Sequence, residues 1–385
     1  MRLPGRRVWV YAGLAVVVGT IALVLRGGAG PSGTARVVPD GQALGITSSP
    51  APTTPATTST TVLAATTAAT VPPSTAPGST ARVGDPRATG VCQRRGPDGG
   101  VPAGTFPGAA CTGVPPGTRL QPLGGNLDVN GDGSADMYRI DLDGTVLDGV
   151  DISVPLCVFA SDVTVRRSRI QEAVYAAGPA QQGACSGNRP EGYVARNYRF
   201  EDVEIVGAPA RVAAFTSLHG NGLVCVRCHV RGASAGFYGS NMTIVDSYVH
   251  DLFGDTDSHN EAVLGFGGSI VIRRSNLVGI LSPASTGGAV SAALALYSHG
   301  DWGPLAHVVV EGSRLETSTG VFCAYGGDSG EQDPVDIRFV GNTFVRNADS
   351  GTCGGGGPIT GWRPGGGNVW ADNRFDDGEL VPEPS

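Results

Sequence analysis

Residues 250 to 263 read HDLFGDTDSHNEAV, which holds two of the chain's six histidines, three aspartates and a glutamate in a protein only 16% charged. Groups that exchange protons near neutral pH suit general acid–base catalysis, and clustered carboxylates suit calcium. His259 and Glu261 stand two apart, the spacing that puts both side chains on one face of an extended chain. With Asp257 and His250 they form the candidate catalytic set, and Asp255 completes the acidic cluster. The bland alternative is a loop that holds one structural calcium ion or only solvates itself. All 27 basic residues are arginine, so a lysine base is excluded, and His259, His250 or an arginine is left to remove a proton.

A second stretch, DVNGDGSAD, sets Asp128, Asn130, Asp132 and Asp136 at positions 1, 3, 5 and 9 of a loop, with Gly133 at position 6. That is the oxygen-ligand spacing of EF-hand-like calcium loops, in which glycine permits the sharp turn. Position 12 is Arg139 rather than a bidentate acid, so Asp141 or Asp143 would have to supply the missing oxygen. A calcium ion here would be structural. Tyr238, Tyr297, Trp302 and Tyr325 are the candidate substrate-binding residues, because aromatic faces suit sugar rings. His229 reads as solvent-facing at the penultimate place of its strand, and His219 and His299 read as loop residues.

The elements that must position these residues are visible as a repeat. An aliphatic-x-aliphatic stretch, two polar residues and a closing hydrophobic recur as VTVRRSRI, TIVDSYV, IVIRRSNL and VVVEGSRL, among others. The closing residues are Ile152, Ile170, Ile205, Val230, Val249, Leu277, Leu315, Phe344 and Phe375. Two places before most of them stands a small polar residue or cysteine: Ser168, Cys228, Ser247, Ser275, Ser313, Asn342 and Asn373. Strands repeating at such irregular spacing describe a solenoid whose coils carry loops of different length. Some intervals are too short for a propeller blade. A column of small polar side chains at one corner can satisfy stacked backbone groups. The pattern predicts an all-β, right-handed parallel β-helix over residues 86–385, with the tail GWRPGGGNVWADNRF closing its open end.

The segments FPGAACTGVPPGTRL, GTVLDGVDISVPLCVFASDVTVRRSRI and GFYGSNMTIVDSYVHDL with SHNEAV resemble a family of exported bacterial β-helix proteins of pectin-lyase-like fold, over about residues 105–375. The resemblance implies an association with polysaccharide. It puts His259 in the place of a histidine and Glu261 in the place of an acid in a His-x-Asp-Gly-Ile segment, with Ala262 replacing the glycine.

The N-terminus supplies the setting. Residues 8–25 are an uncharged apolar run with Arg2, Arg6 and Arg7 before it, which reads as a signal anchor over residues 1–30 that leaves the rest outside the cell. If that segment is instead cleaved, the protein is secreted. Residues 31–85, rich in Ser, Thr, Pro and Ala, cannot bury a core and read as a disordered stalk. Sequential pairing joins Cys92 to Cys111, Cys157 to Cys185 and Cys323 to Cys353. Cys225 and Cys228 stand too far apart in a regular strand to bond, so they bridge at a bulge, pair elsewhere or stay as thiols. A net charge of −7 argues against nucleic acid as a partner. The expectation is a monomeric, extracytoplasmic, membrane-anchored protein that acts on a polysaccharide or cell-wall glycan as lyase or hydrolase. A non-catalytic glycan-binding module is the alternative.

Overall fold

One corner, repeated coil after coil, explains most of the architecture. In the coil that contains the candidate loop, strand Met242–Val245 runs into Asp246, turns sharply, and continues as Tyr248–His250 and then His259–Phe266. These three strands belong to three different sheets, here called sheets 1, 2 and 3 in the order the chain meets them. Sheets 1 and 3 have nine strands each and sheet 2 has ten, and the pairing between coils is parallel throughout. The stack is that of a parallel β-helix. The computed structural model describes residues 106–176, 185, 195–209, 213–217, 222–255, 258–298, 302–330 and 332–385, with the backbone alone at Ser217 and His259. Among these residues no helix is long and apolar enough to cross a membrane; the run 8–25 and the stalk lie outside them.

The closing hydrophobics of the repeat form one continuous column inside the coils. Ile152 pairs with Ile170, Ile170 with Ile205, and the register runs on through Val230, Val249, Leu277, Leu315 and Phe344 to Phe375. All nine are buried. Sheet 1 sets a second column beside it, with Val165, Phe200, Cys225, Ile244 and Ile272 in register. Each such side chain removed from water contributes roughly 1.5–3 kcal/mol, and stacking makes every coil cover its neighbour.

Between sheets 1 and 2 the chain bends through one left-handed residue: Gly149, Arg167, Asp202, Arg227, Asp246, Arg274, Gly312, Gly341 and Asp372 have φ from +47° to +68°. Six of the nine are not glycine, and each such residue costs about 1–2 kcal/mol. Ion pairs between successive coils offset part of that. Arg227 grips Asp202 with two donors at 2.8 and 3.0 Å, and Arg274 grips Asp246 at the same distances.

The small polar column works as its spacing suggests. The amide of Cys228 donates to Ser247 Oγ, that of Ser247 to Ser275 Oγ, that of Ser275 to Ser313 Oγ, and those of Ser313 and Asn342 to the side chains of Asn342 and Asn373. The distances are 3.0–3.2 Å. The same corner resolves the difficulty of Cys225 and Cys228: the left-handed Arg227 folds the chain back, their Cα atoms come to 5.9 Å, and they form a disulfide. Cys157–Cys185 and Cys323–Cys353 bond as expected, each closing a span of 28 or 30 residues. Cys111 is also disulfide-bonded, and Cys92 lies outside the described residues.

Two further segments cover the stack. At the C-terminal coil Trp362 and Trp370 pack on Phe339, and the Trp370 indole donates to the Val381 carbonyl at 2.9 Å, closing the open end. At the other end, residues 106–120 run as a strap across the outer face of sheet 2. Asn276 holds the strap at the Pro107 carbonyl, Gly113 donates to the Arg227 carbonyl at 2.8 Å, and Gln121–Leu123 then joins sheet 2 beside Val150–Ile152. A side chain could not replace Gly113, since a Cβ there would stand 2.9 Å from the Cβ of His229.

Candidate functional site

The outer face of sheet 3 brings together Glu261 and the four aromatic residues singled out for chemistry. Strand His259–Phe266 enters it after a buried plug: Asn260 donates to the Ala289 carbonyl at 2.9 Å and accepts from Ser234. Beyond Asn260 the register shifts. Asn260 pairs with Val290 and Glu261 with Ala292, so Ser291 is the extra residue. Bulges of this kind re-aim a side chain, and here the Ser291 hydroxyl donates to the Glu261 carboxylate. The extra residue lies in the neighbouring strand Ala289–Tyr297, so it is that strand whose alternation shifts. His259 and Glu261 both lie inside their strand rather than in a loop before it, and the His259 side chain is outside what is described.

Glu261 is 4% exposed. Burial pushes its carboxyl up to about 7, with the Ser291 hydrogen bond pulling the other way. A carboxyl in that range is partly protonated at neutral pH and can serve as acid or base. Around it stand tyrosines whose hydroxyls are all pushed above their ordinary range, first by burial and then by the Glu261 charge: Tyr238, Tyr297 and Tyr325.

Those tyrosines belong to a partly exposed aromatic strip. Phe266 packs against Tyr238, Tyr297 and Trp302 with ring centroids 5.4, 5.9 and 5.8 Å away, and Tyr297 continues to Tyr325 at 5.7 Å. Phe322 adds an edge against Tyr325. The strip crosses four successive coils, a length of ~14 Å at the usual strand spacing. All four aromatic residues expected to bind substrate are thus in one place. Phe266, Phe322 and Ser291 were not expected there. For Phe266 a signal existed, because an aromatic residue followed by Gly or Ser ends the sheet 3 strand in GFYGS, GFGGS, LYSHG and AYGGD alike.

The remaining candidates are placed elsewhere. Asp255 is exposed in the preceding turn, and Asp257 is outside the described residues. His250 does not join Glu261. Strand Tyr248–His250 belongs to sheet 2, and its first and third residues face outward before the chain turns to sheet 3. There His250 Nε2 lies 2.6 Å from Nε2 of His229, with Tyr248 stacked on both rings. His229 is therefore not solvent-facing: it points outward from its sheet, but the strap covers it and leaves it 9% exposed. Glu204, in the preceding coil, binds Arg169 and Arg231 at 2.7 and 3.1 Å, and a cleft of about 560 Å³ runs between Asp151, Arg169, Glu204 and His229 on one side and strap residues Thr112, Pro115 and Thr118 on the other.

In the loop 128–136 the carboxylates of Asp128, Asp132 and Asp136 lie within 4.8 Å of one another. Asp128 already accepts the amides of Gly131 and Gly133 at 2.6 and 2.8 Å, which hold its carboxyl below the usual range. Arg139 turns to Asp141 at 2.9 Å, so no bidentate acid occupies the twelfth place. Hard oxygen donors at this spacing fit calcium with an incomplete shell.

Comparison with family models, with curated proteins and with solved structures finds no match to this chain.

Proposed function

We propose that this is a cell-surface β-helix protein that binds an extracellular polysaccharide along the outer face of sheet 3 and acts on it through Glu261. The supporting observation is the coincidence of one buried carboxyl, raised to about 7, with a partly exposed strip of Tyr238, Tyr297, Trp302 and Tyr325. Aromatic faces supply apolar area at the height of a sugar ring, and the carboxyl supplies or takes the proton of glycosidic-bond cleavage. The solenoid is right-handed in this reading, the hand that parallel crossovers adopt. A calcium ion at Asp128, Asn130, Asp132 and Asp136 would brace the first coil. The apolar run 8–25 and the stalk 31–85 would hold the domain outside the membrane.

A second reading, a binding module without catalysis, is favoured by a specific observation. Among the described residues no neighbouring acid or guanidinium acts on Glu261, and burial with Ser291 accounts for its shift. Hydrolysis by paired carboxylates would require a second acid about 5–9.5 Å away. The full chain, held in detergent, is to be incubated with neutral and uronate-containing polysaccharides while reducing ends and unsaturated products are read together. Reducing ends lost in Glu261→Gln support a hydrolase, and unsaturated products lost in that variant support a lyase. Retention of a glycan that Tyr297→Ala abolishes, without either product, leaves the binding module. If no glycan is retained or cleaved, both readings fail.

A further inference from the structure

The groups beneath the strap take no part in the function proposed for sheet 3, yet they are assembled with care. His229 and His250 come from adjacent coils and share a 2.6 Å contact between Nε2 atoms, so one must donate and the other accept. The Asp251 carboxylate stands 2.9 Å from His250 Nδ1, outside the angle of a hydrogen bond, and its negative charge favours the proton on that nitrogen. His250 Nε2 is then the acceptor and His229 Nε2–H the donor. His229 Nδ1, left with its lone pair, faces Gly113 of the strap.

A further proton has one vacant nitrogen to go to, His229 Nδ1, and the place is costly. On His229 Nδ1 it would put a charge under a strap that carries no ionisable side chain between Phe106 and Thr118 apart from the disulfide-bonded Cys111. The contact between the two Nε2 atoms holds a single proton, so His250 offers no second place for it. The charged groups around the pair do not relieve this. Arg231, on the strand of His229, repels a second cation. Glu204, on the neighbouring strand, attracts one but is already shared by Arg169 and Arg231. Asp251 attracts one too, from the far side of His250. Tyr248 contributes only its ring face. Burial and His250 together hold the His229 imidazole down at about 3, well below its ordinary value.

We propose that residues 106–120 form an acid-released latch: protonation of the His229–His250 pair lifts the strap from sheet 2 and opens the cleft lined by Asp151, Arg169 and Glu204. The His229 imidazole lies on the outer face of its sheet against Gly113 of the strap, so water reaches it when the strap lifts, without any coil coming apart. A group held below its ordinary value favours the closed state above pH ~6.5 and loses that preference as the pH falls. For one proton taken up on opening, the opening constant rises up to about tenfold per pH unit, roughly 30-fold between pH 7.5 and 5 and roughly 16-fold between pH 6.5 and 5.

Hydrogen exchange of the full chain, corrected for intrinsic rates, tests this at pH 7.5, 6.5 and 5. The expected result is a loss of protection in residues 106–120 of about that size, with strand Met242–Val245 unchanged. His229→Gln and His250→Gln, made separately so that either can stand if the other misfolds, are expected to flatten the pH dependence. A strap equally protected at pH 7.5 and 5 overturns the proposal. So does acid opening that persists in both variants, or loss of protection in Met242–Val245 in parallel with the strap.

Discussion

Glu261→Gln separates a buried carboxyl from a solvated one by its effect on stability against pH. Burial lifts the Glu261 carboxyl from 4.5 to about 7, so between those values the folded protein holds a proton that the unfolded chain has released. A group raised in this way contributes stability fully below pH ~4.5, and that contribution is lost as the pH rises through 7. At 1.36 kcal/mol per pH unit, the ionised form costs the fold about 3 kcal/mol at pH 8 and under about 1 kcal/mol at pH 5. Glutamine keeps the shape, still accepts from Ser291, and never ionises. The variant is therefore expected to gain about 2–3 kcal/mol on the parent between pH 5 and pH 8, beyond any constant offset. Urea unfolding of both proteins at the two pH values reads the difference, and amide exchange in strand His259–Phe266 reads it locally should coils unfold separately. An identical gap between variant and parent at both pH values would refute the reasoning. It would mean that water reaches the carboxyl, and the acid–base role would go with it.

Two other outcomes follow from the corner and from the first coil. Ser275→Ala removes the acceptor of the Ser247 amide and leaves that buried N–H unpaired, at a cost of about 2 kcal/mol or roughly 30-fold faster exchange at Ser247, measured by hydrogen exchange. Calcium at about 5 mM is expected to raise unfolding stability by about 1–2 kcal/mol, for the weak affinity of an incomplete loop, and Asp132→Ala is expected to abolish the gain in a melting assay.

The inner face of the solenoid was legible in the sequence because it is written at short range. The residues from Ile152 to Phe375 that close each repeat recur with a fixed local pattern, and the serines and asparagines two places earlier stand where a corner needs them. The left-handed Arg167, Arg227 and Arg274 gave no such signal, since arginine is not a residue that ordinarily marks positive φ. Sheet 3 was harder still. Its strand Ala289–Tyr297 reads AVSAALALY, without clear alternation, because the extra residue Ser291 shifts the parity part-way along. For His229 the outward direction was right. What hides it is a segment more than a hundred residues earlier, and no local pattern reports a contact of that range. Glu261 stood out by type and position, whereas its isolation among tyrosines is a product of coil stacking.

The serine and asparagine column has a consequence for how such a chain can change. From Ser247 to Asn342 each coil offers one side-chain acceptor to the coil before it and asks one of the coil after it, so supply and demand at the corner match whatever the neighbour's identity. A whole coil can be added or deleted without stranding a donor, provided the newcomer keeps a Ser or Asn at that place. The loops meanwhile are untouched by the rule: equivalent corner residues lie 19 apart in one coil and 38 in another. Length of the scaffold and content of the loops are thus independent variables. New surfaces can be tried on the outside while the inside goes on counting coils.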